Sequence, residues 1–499
     1  MAKKAKRRKV VTAKKAKRRK VVTAKKAKKR KIVAAKKAKK RKRVAAKKAK
    51  KRKIVAAKKA KKRKIVAAKK AKKKKIVAAK KAKKRKIVAA KKAKKRKVVA
   101  AKKAKRRKVV APKKITWKKS TSIPLAIEET FFGMIENKLV FLCGFNGGIA
   151  NSFTGNDMDT KVKKYIRGFK NEGYYLDLNN ITHTWDSIPN FPSTGRQGGR
   201  TVCIDNTMYC YGGFVYTPVK IGPLTNYKKK NAFRTLQDGY ALNYTDNQWI
   251  WTELPNLPAS MSGFGMTKIN NYIYICCGAH REPHYKSHNL MVNNENTEIG
   301  RILYRLDINN LDKGWQEYDT FPGTLRFNPA MTSIGDDIYI IGGIYPNQSW
   351  ISRKDISERY YNINDNWKYN TVTKKWSLIK TNICNGLSNW GPCNDEIVYK
   401  DRYIILIGGY SYRYFMNKNK LVENSMYNGE FSNRIIIYDT VTDTCYNDNT
   451  LFCTINAPDF IVRDNKIYLI GGESVKYTFE GEYFGKHSDV FAIGEIEEL

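Results

Sequence analysis

Acidic residues are absent from the first 111 positions of this 499-residue chain. Residues 2–111 contain 61 of its 102 lysines and arginines, whereas residues 112–499 carry 41 basic and 41 acidic side chains and are formally neutral. This distribution excludes a uniformly basic globular protein. It predicts two parts, a basic arm at residues 1–112 and a folded body at residues 113–499.

Long apolar runs and paired cysteine motifs are also missing. No run of about 18 apolar residues occurs, so we expect no transmembrane segment, and the N-terminus lacks the apolar stretch of a secretory signal. The nine cysteines are odd in number and include no C-x-x-C spacing. Both features favour reduced thiols in a reducing compartment, and we therefore expect an intracellular protein.

The arm is built from ten copies of an 11-residue unit, A-K-K-A-K-[KR]-[KR]-K-[IVR]-V-[AT], which begins at Ala2. Lysine, arginine and alanine favour helix, but the apolar stripe of the unit is weak and neighbouring charges repel each other. Because no packed core offsets the entropy of ordering, we expect an arm that is disordered when free and becomes helical on a polyanion. Pro112 follows the last copy and would end any helix there.

The composition of the arm favours binding to the phosphate backbone of nucleic acid. Its ten copies contain no aromatic residue for base stacking and no asparagine or glutamine for reading base edges. Repetition makes it multivalent and able to bridge duplexes. We expect DNA rather than RNA, although polyphosphate and anionic lipid stay open as targets. The cations expected to contact nucleic acid are Lys3, Lys4, Lys6, Arg7, Arg8, Lys9, Lys14, Lys15, Arg18, Arg19, Lys25, Lys26, Lys29, Arg30, Lys31, Lys40, Arg41, Lys42, Arg52, Arg63, Arg85, Arg96, Arg106 and Arg107.

Two basic runs of the arm resemble known kinds of segment. Lys25–Lys31 resembles the lysine-rich tails of linker histones and other DNA-compacting proteins, and Arg7–Val10 resembles a nuclear-import signal. The resemblance implies nuclear DNA compaction. The alternative is a solvated tail, expanded by repeat slippage, that has no selected partner.

The body contains a second, longer repeat. A short β-branched and aromatic run that ends in a glycine pair, or a remnant of one, occurs six times, and the last glycines are 69, 65, 65, 66 and 63 residues apart. Such runs predict buried β-strands. The glycines are Gly144, Gly212, Gly213, Gly278, Gly342, Gly343, Gly408, Gly409, Gly471 and Gly472.

Each of the first five repeats continues with two side chains that are seven residues apart, such as Tyr369 and Trp376. The fixed spacing predicts a hairpin in which a large ring opens the returning strand. The large rings are Trp185, Trp251, Trp315 and Trp376, and Cys445 takes the place of the fifth.

Together these glycines and rings resemble the Kelch repeat. The resemblance covers about residues 115–499 and implies an all-β fold, a six-bladed Kelch-type β-propeller with four strands in each blade. The sixth repeat has no tryptophan of its own, whereas Trp117 and Ser122-Ile-Pro124 match Trp185 and Ser187-Ile-Pro189. We therefore expect the strand after Trp117 to complete the sixth blade and close the ring.

The length variation of the repeats is confined to the connection between the second and third strands. These segments emerge on one face of a propeller, and they carry 21 basic and 14 acidic residues with many aromatic side chains. Binding is often located on such loops, so we expect this long-loop face to dock a protein partner. Residues 145–173, 214–239, 279–301, 344–360, 410–432 and 473–487 form these segments.

The sequence gives little support for an enzyme. We assign no catalytic residue and no cofactor, and the weak metal candidates His280, His284 and His288 share one loop with Pro283, which disfavours a helix that would align them. The alternative is a Kelch-type enzyme, of the sugar epimerase or oxidase kind, whose arm is a nuclear or polyanion address signal. A third class, cytoskeletal or ubiquitin-adaptor Kelch proteins, is disfavoured because no BTB-like helical domain precedes the blades.

These observations together predict a nucleic-acid-binding, packaging or tethering protein without enzymatic activity. The arm binds DNA or RNA without sequence preference, and the propeller binds a protein. The expected location is the nucleus, a viral factory or a virion core.

Overall fold

The computed structural model divides the chain into two compact units, residues 1–98 and 99–499. In the first unit the described residues lie between positions 13 and 43, and all of them are α-helical and exposed. In the second unit the structure describes residues 111–146, 168–180, 184–221, 228–278, 300–346, 360–384, 392–412, 414–417, 420–423, 431–479 and 482–498. No helix among the described residues is long and apolar enough to cross a membrane.

Six antiparallel four-stranded sheets form a closed ring of blades, as the repeat predicts. The first two strands of each blade are almost entirely buried, because their apolar runs face neighbouring blades on both sides. Blade one contains β2 (Phe131–Ile135), β3 (Lys138–Leu142), β6 (Gly173–Asp177) and β7 (Asp186–Ile188); blade two contains β8 (Arg200–Ile204), β9 (Thr207–Tyr211), β12 (Gly239–Thr245) and β13 (Gln248–Leu254); blade three contains β14 (Gly265–Ile269), β15 (Tyr272–Cys276), β16 (Ile302–Asp307) and β17 (Gln316–Thr320).

The remaining blades follow the same order from the channel outwards. Blade four contains β18 (Ala330–Ile334), β19 (Asp337–Ile341), β22 (Asn366–Asn370) and β23 (Lys375–Ile379); blade five contains β24 (Val398–Tyr399), β25 (Tyr403–Ile407), β28 (Ile435–Asp439) and β29 (Thr444–Asp448); blade six contains β31 (Asp459–Arg463), β32 (Lys466–Ile470), β35 (Phe491–Glu498) and β1 (Pro112–Lys119). A single 3-10 turn, Leu311–Lys313, connects β16 to β17.

Ring closure occurs through the first strand of the unit, as expected. β1 pairs antiparallel with β35, and Trp117 lies opposite Gly494. One detail of the prediction is wrong, because Trp117 lies inside the closing strand and does not precede it. The strand begins at Pro112, where the missing amide N–H makes no difference to an outermost, unpaired edge.

The glycine pairs join each blade to the connection that enters the next innermost strand. The N–H of Gly213 donates to the carbonyl of Met261 at 2.9 Å, and the N–H of Gly472 donates to that of Ile127 at 2.8 Å. Gly471 has φ +60°, and a Cβ atom there would lie 2.3 Å from the Ile127 carbonyl oxygen. This position therefore excludes side chains for reasons of both conformation and space.

The large rings pack across blade boundaries. Trp185 of blade one contacts Phe491 of blade six edge to face, with centroids 5.5 Å apart, and Trp315 of blade three contacts Tyr211 of blade two at 5.2 Å. Trp376 packs on Phe321 at 5.2 Å. Such contacts hold the blades together in addition to the area that they bury. All nine cysteines are free thiols, and seven of them are buried.

Short additional strands grow out of the connection between the second and third strands of a blade. In blades one, two, four and six the first additional strand begins directly after the last glycine, and the longest hairpin among the described residues has eight residues in each strand. The additional strands are β4 (Phe145–Asn146), β5 (Gly168–Phe169), β10 (Phe214–Ile221), β11 (Lys228–Thr235), β20 (Ile344–Pro346), β21 (Tyr360–Ile363), β26 (Tyr414–Asn417), β27 (Lys420–Glu423), β33 (Glu473–Phe479) and β34 (Glu482–His487), with β30 (Ile455–Asn456) paired to β33.

Blade five differs from the others at the centre of the ring. Its innermost strand, β24, has only two residues, and residues 392–397, here called the channel segment, lie against the innermost strands of four other blades. The carbonyl of Cys393 accepts from the Thr201 amide of blade two at 2.8 Å, and that of Asp395 accepts from the Thr332 hydroxyl of blade four at 2.7 Å. The carbonyl of Glu396 accepts from Val462 of blade six at 2.6 Å. The channel segment therefore fills the central channel with hydrogen-bonded chain.

Candidate functional site at the channel mouth

A cavity of about 230 Å³ lies where the channel opens on the long-loop face. Its lining comes from the connections into the innermost strands of five blades and from the first residues of the long loops. Both kinds of connection emerge on the same face because the strands of a blade alternate in direction. We call this cavity the channel mouth.

Two adjacent carboxylates, Glu128 and Glu129, lie in the connection into blade one and are nearly inaccessible to solvent. The Gln197 side-chain amide lies between them, and its Nε2 donates to Glu129 Oε2 at 2.8 Å and to Glu128 Oε1 at 3.3 Å. Asn328 Nδ2 approaches Glu129 Oε1 at 3.4 Å. Both carboxylates are therefore held in place by neutral amides.

A buried arginine stands behind these amides. Arg200 donates to Asn328 Oδ1 at 2.9 Å, to the Gly199 carbonyl at 2.8 Å and to Cys393 Sγ at 3.2 Å. Asn328 thus separates the guanidinium from Glu129. Arg200 lowers the electrostatic cost of the site, but it forms no ion pair with either carboxylate.

A third acid, Asp459, lies at the start of β31 and is fully buried. Its Oδ2 accepts hydrogen bonds from the amide and the hydroxyl of Thr130, both at 2.7 Å, and its Oδ1 is 3.4 Å from the amide nitrogen of Cys393. These donors are neutral as well. The base of the channel mouth therefore concentrates carboxyl groups whose hydrogen-bond partners carry no charge.

A histidine and a fourth acid complete one side of the site. His487 Nε2 lies 3.2 Å from Glu128 Oε1 and 4.0 Å from Glu473 Oε1. Glu128, Glu473 and His487 each offer one atom that could ligate a metal, and these three atoms lie within 4.8 Å of one another, close enough to share a metal ion. These three residues can hold a metal ion or a larger cation.

Aromatic rings form a second part of the lining. Phe327 packs on Tyr360 with centroids 5.7 Å apart, Tyr360 on Tyr412 at 5.6 Å and Tyr412 on Tyr410 at 4.7 Å, all edge to face. Phe214 adds a fifth ring to the lining. The channel mouth therefore combines a carboxylate side with an aromatic side.

Burial changes the acidity of the carboxyl groups. Desolvation, followed by the charge of Glu129, raises the pKa of Glu128 well above its ordinary value, and desolvation raises the pKa of Glu129. Desolvation raises the pKa of Asp459 to about 6, although three donors oppose it. The acids thus retain protons nearer to neutral pH than exposed acids do, because the desolvation that burial causes outweighs the hydrogen bonds and charges around them.

The predicted nucleic-acid contacts fall mainly outside the described residues. Lys14, Arg18, Arg19, Lys25, Lys26, Arg30 and Lys31 are described, and each is helical and exposed. Outside the described residues lie Lys3, Lys4, Lys6, Arg7, Arg8, Lys9, Lys15, Lys29, Lys40, Arg41, Lys42, Arg52, Arg63, Arg85, Arg96, Arg106 and Arg107, and so do His280, His284 and His288. The nucleic-acid contacts and the weak metal candidates stay predictions.

Sequence reasoning missed the channel mouth, although a signal for it exists. Glu128, Gln197, Ser262, Phe327, Cys393 and Asn456 each stand 16 residues before the last glycine of their repeat. Five of these six residues line the cavity, and Cys393 is bonded to Arg200 beneath it. Counting back from the glycines therefore identifies the ring of residues around the channel.

The same count reveals two buried arginines. Arg196 and Arg326 stand 17 residues before the last glycine, and each binds the first glycine carbonyl of its own blade, Gly212 and Gly342. Arg196 is fully buried and pairs with Asp238 at 2.6 Å, and Arg326 pairs with Asp365. These arginines are structural, since each is paired and bonded within its blade.

The fold and the repeat define a six-bladed β-propeller. Residues 325–382, which span blade four, match the family model of the Kelch motif. The body of the chain is therefore a six-bladed β-propeller that contains a match to the Kelch motif, and the basic repeat arm precedes it in the sequence.

Two curated relatives share this body in part. The chain is 25% identical over 254 residues to N-acetylneuraminate epimerase of Vibrio cholerae serotype O1, a match to 46% of this chain and 56% of that protein. It is 27% identical over 235 residues to Kelch repeat and BTB domain-containing protein 2 of horsepox virus, a match to 45% of this chain and 37% of that protein. The chain thus spans about half, or less, of the curated relatives that it matches.

A likeness to a solved structure is also found. The protein titled "Structure of YjhT" aligns with 75% of this chain and 95% of its own, with a TM-score of 0.47 and 14% sequence identity.

Proposed function

We propose that this protein is a non-enzymatic tether. Its arm binds the backbone of nucleic acid, DNA before RNA, without sequence preference, and its propeller docks on a protein partner. The observation that carries the proposal is the separation of charge: residues 2–111 hold 61 cations and no acid, and residues 112–499 are neutral. One part is suited to any polyanion, and the other is suited to specific contacts.

The arm has the composition of a non-specific binder. Duplex DNA offers one phosphate per roughly 1.7 Å, so 61 cations match about 30 base pairs. Because the repeats lack groups that stack on or read bases, affinity comes from counterion release and is expected to depend steeply on salt.

The long-loop face supports the docking role of the propeller. The additional strands β4–β5, β10–β11, β20–β21 and β33–β34 all leave the blades on the side of the channel mouth. Binding surfaces are often carried by loops on a rigid scaffold, because such loops are free to vary while the scaffold, here the blades, stays fixed. A rim built from paired strands is also more rigid than single loops, and this lowers the entropy lost on binding.

The proposed location is the nucleus, a viral factory or a virion core. The basic runs of the arm support an address inside the cell, and the relative in horsepox virus is compatible with a viral setting. Imaging of the full-length protein beside a variant with glutamine at every basic position of the arm tests this location. A distribution that does not change would contradict it.

DNA binding separates the two parts. We would measure binding of a 30-base-pair duplex to the full chain, to residues 1–111 and to residues 112–499 at about 50 mM and 200 mM salt. We expect the full chain and the arm to bind two unrelated duplex sequences equally and to lose at least about 10³ in affinity at the higher salt. The proposal fails if the propeller alone binds as tightly as the full chain, or if the arm does not bind at low salt.

A second candidate is a sugar-converting enzyme with its site at the channel mouth. The partial likeness to N-acetylneuraminate epimerase favours it, and so do buried carboxyl groups with raised pKa values, which can transfer protons. The test follows anomer exchange of neutral and acidic sugars by NMR with the wild type and Glu129→Gln. Unaccelerated exchange for every sugar would remove this candidate.

A further inference from the structure

Glu128, Glu129 and Asp459 have no lysine or arginine counter-ion among the residues that the structure describes. Their partners are amides, a hydroxyl and His487, and the nearest guanidinium, Arg200, is bonded elsewhere. A buried anion without a counter-charge costs several kcal/mol unless it is protonated or paired.

The empty space lies next to these anions, so the missing charge has a place to bind. Glu128 and Glu129 both line the cavity, and three side chains, Gln197, Asn328 and His487, hold them in fixed positions. Prepositioned carboxylates bind a cation without reorganising, which favours tight binding.

The aromatic part of the lining fits a cation that also has an apolar body. Tyr360, Tyr410 and Tyr412 with Phe327 form a continuous edge-to-face series, and cations bind the faces of such rings. A bare metal ion uses oxygen and nitrogen ligands and gains little from five rings. An alkyl chain that ends in a positive charge uses both parts of the lining, and about 230 Å³ is enough for one such side chain.

From this arrangement we infer that the channel mouth is a receptor site for a primary ammonium or guanidinium group, supplied by a lysine or arginine side chain. The ammonium or guanidinium group lies beside Glu128 and Glu129, and the methylene chain packs on the tyrosine rings. The assignment of the group to a partner protein rests on the proposed docking role, whereas the chemistry of the site does not.

Calorimetric titration of the full-length protein tests the chemistry. The ligands are capped lysine amide, capped arginine amide and the neutral capped norleucine amide, with cadaverine as a free diamine and Zn²⁺ in a separate titration. The arm is first saturated with duplex DNA, so that its own lysines do not compete. Anisotropy of the labelled duplex in the same samples reports separately whether the arm binds.

Matched variants locate the binding. We expect Glu128→Gln and Glu129→Gln to weaken binding of the charged amides at least about tenfold, and the exposed control Glu253→Gln to leave it unchanged. Tyr412→Phe keeps the ring and should bind as the wild type does, whereas Tyr412→Leu should bind several-fold more weakly. Melting temperatures of all variants show that each is folded.

The outcomes are distinct. Binding of the charged amides, with the neutral amide silent and the glutamine variants impaired, supports the inference. Tighter binding of cadaverine than of capped lysine keeps the cation chemistry but assigns it to a free amine, contrary to the docking role. Equal binding of norleucine amide, no effect of the glutamine variants, or binding of Zn²⁺ alone would overturn it.

Discussion

Two pairs of adjacent acids border the central channel, and they differ in what neutralises them. Glu128 and Glu129 at the channel mouth are held by amides, whereas Asp395 and Glu396 in the channel segment meet cations. Lys268 Nζ lies 3.6 Å from Asp395 and 3.3 Å from Glu396. Both pairs are largely buried, so burial alone does not distinguish an acid of the framework from an acid that binds a ligand. The two pairs differ in whether a described lysine or arginine is paired with them.

The acids of the channel segment behave as parts of the framework. Asp395 Oδ2 accepts from the Thr267 hydroxyl at 3.0 Å and from the Lys268 amide at 3.1 Å, and Glu396 also pairs with Arg463 at 2.7 Å. These bonds link blade five to blades three and six across the channel. Among the described residues, no lysine or arginine links Glu128 or Glu129 to another blade in this way, and this difference is the basis for assigning them to a ligand site.

Removal of Lys268, the cation of blade three that pairs with the channel segment, has the largest expected effect on stability. Lys268→Met leaves Asp395 and Glu396 buried without their shared partner, and we expect a loss of about 3 kcal/mol in the free energy of unfolding. Urea unfolding at pH 7 measures this loss. The control is Lys466→Met on an exposed strand position, and an equal effect of the two substitutions would contradict the structural role.

The next largest expected effect on stability is the difference between two variants, each of which neutralises one acid of a pair. Glu396→Gln removes ion pairs with Lys268 and Arg463 and should cost about 1–2 kcal/mol. Glu129→Gln loses one hydrogen bond from a side-chain amide but removes a buried charge. We therefore expect the free energy of unfolding to change by less than about 1 kcal/mol. The same unfolding experiment compares them, and the contrast between the pairs disappears if Glu129→Gln is the more damaging change.

The blades were predictable from sequence because their signals are local and repeat. The glycine pairs follow β9, β19, β25 and β32, and their positive φ angles favour glycine, although Cys143 (φ +63°) and Cys277 (φ +67°) take the first position of the pair in blades one and three. Trp376 lies directly opposite Tyr369 in the hairpin that the seven-residue spacing indicates. Six copies of one pattern make the number of blades readable without any knowledge of long-range contacts.

The channel mouth was not predictable in the same way, because its residues come from distant parts of the chain. Glu128 meets His487, 359 positions later, and Asp459 meets Thr130, 329 positions earlier. From sequence alone, two adjacent acids in a connection between strands are expected to be exposed to solvent, because the sequence does not show which residues they contact. Only the fixed distance from the glycines shows that Glu128, Gln197 and Asn456 occupy equivalent positions.

The pH dependence of stability reports the buried acids whose pKa values are raised by desolvation, which are Glu128, Glu129 and Asp459 at the mouth and Asp395 in the channel segment. A carboxyl group whose folded pKa is raised stabilises the fold most below the unfolded pKa, and this stability is lost as pH rises through the folded pKa. For Asp459 that window runs from 3.8 to about 6, so we expect a loss of about 1 kcal/mol between pH 5 and pH 8, with further loss from Glu128 and Glu129. Asp238 and Asp439, whose pKa values are lowered beside arginines, titrate below this window.

Urea unfolding at pH 5, 6.5 and 8 measures this loss. Asp459→Asn keeps one oxygen to accept from Thr130 and should flatten the profile. A protein that becomes more stable between pH 5 and pH 8 would show that the mouth acids are not deprived of counter-charge.

The smallest expected effect on stability comes from introducing a lysine between the two acids of the channel mouth, as Lys268 lies between the two acids of the channel segment. Gln197 lies between Glu128 and Glu129, so the ammonium group of Gln197→Lys would stand where Lys268 stands between Asp395 and Glu396. We expect a gain of up to about 1 kcal/mol at pH 8, because the Coulomb attraction is partly offset by desolvation of the new charge. Binding of the charged amides should be lost in the same variant, since the lysine occupies the position of their cation.

Gln197→Met, which is similar in length and uncharged, is the control and should lose stability. If Gln197→Lys is no more stable than Gln197→Met, the two ends of the channel do not differ in charge balance, and the contrast between a framework pair and a binding pair is wrong.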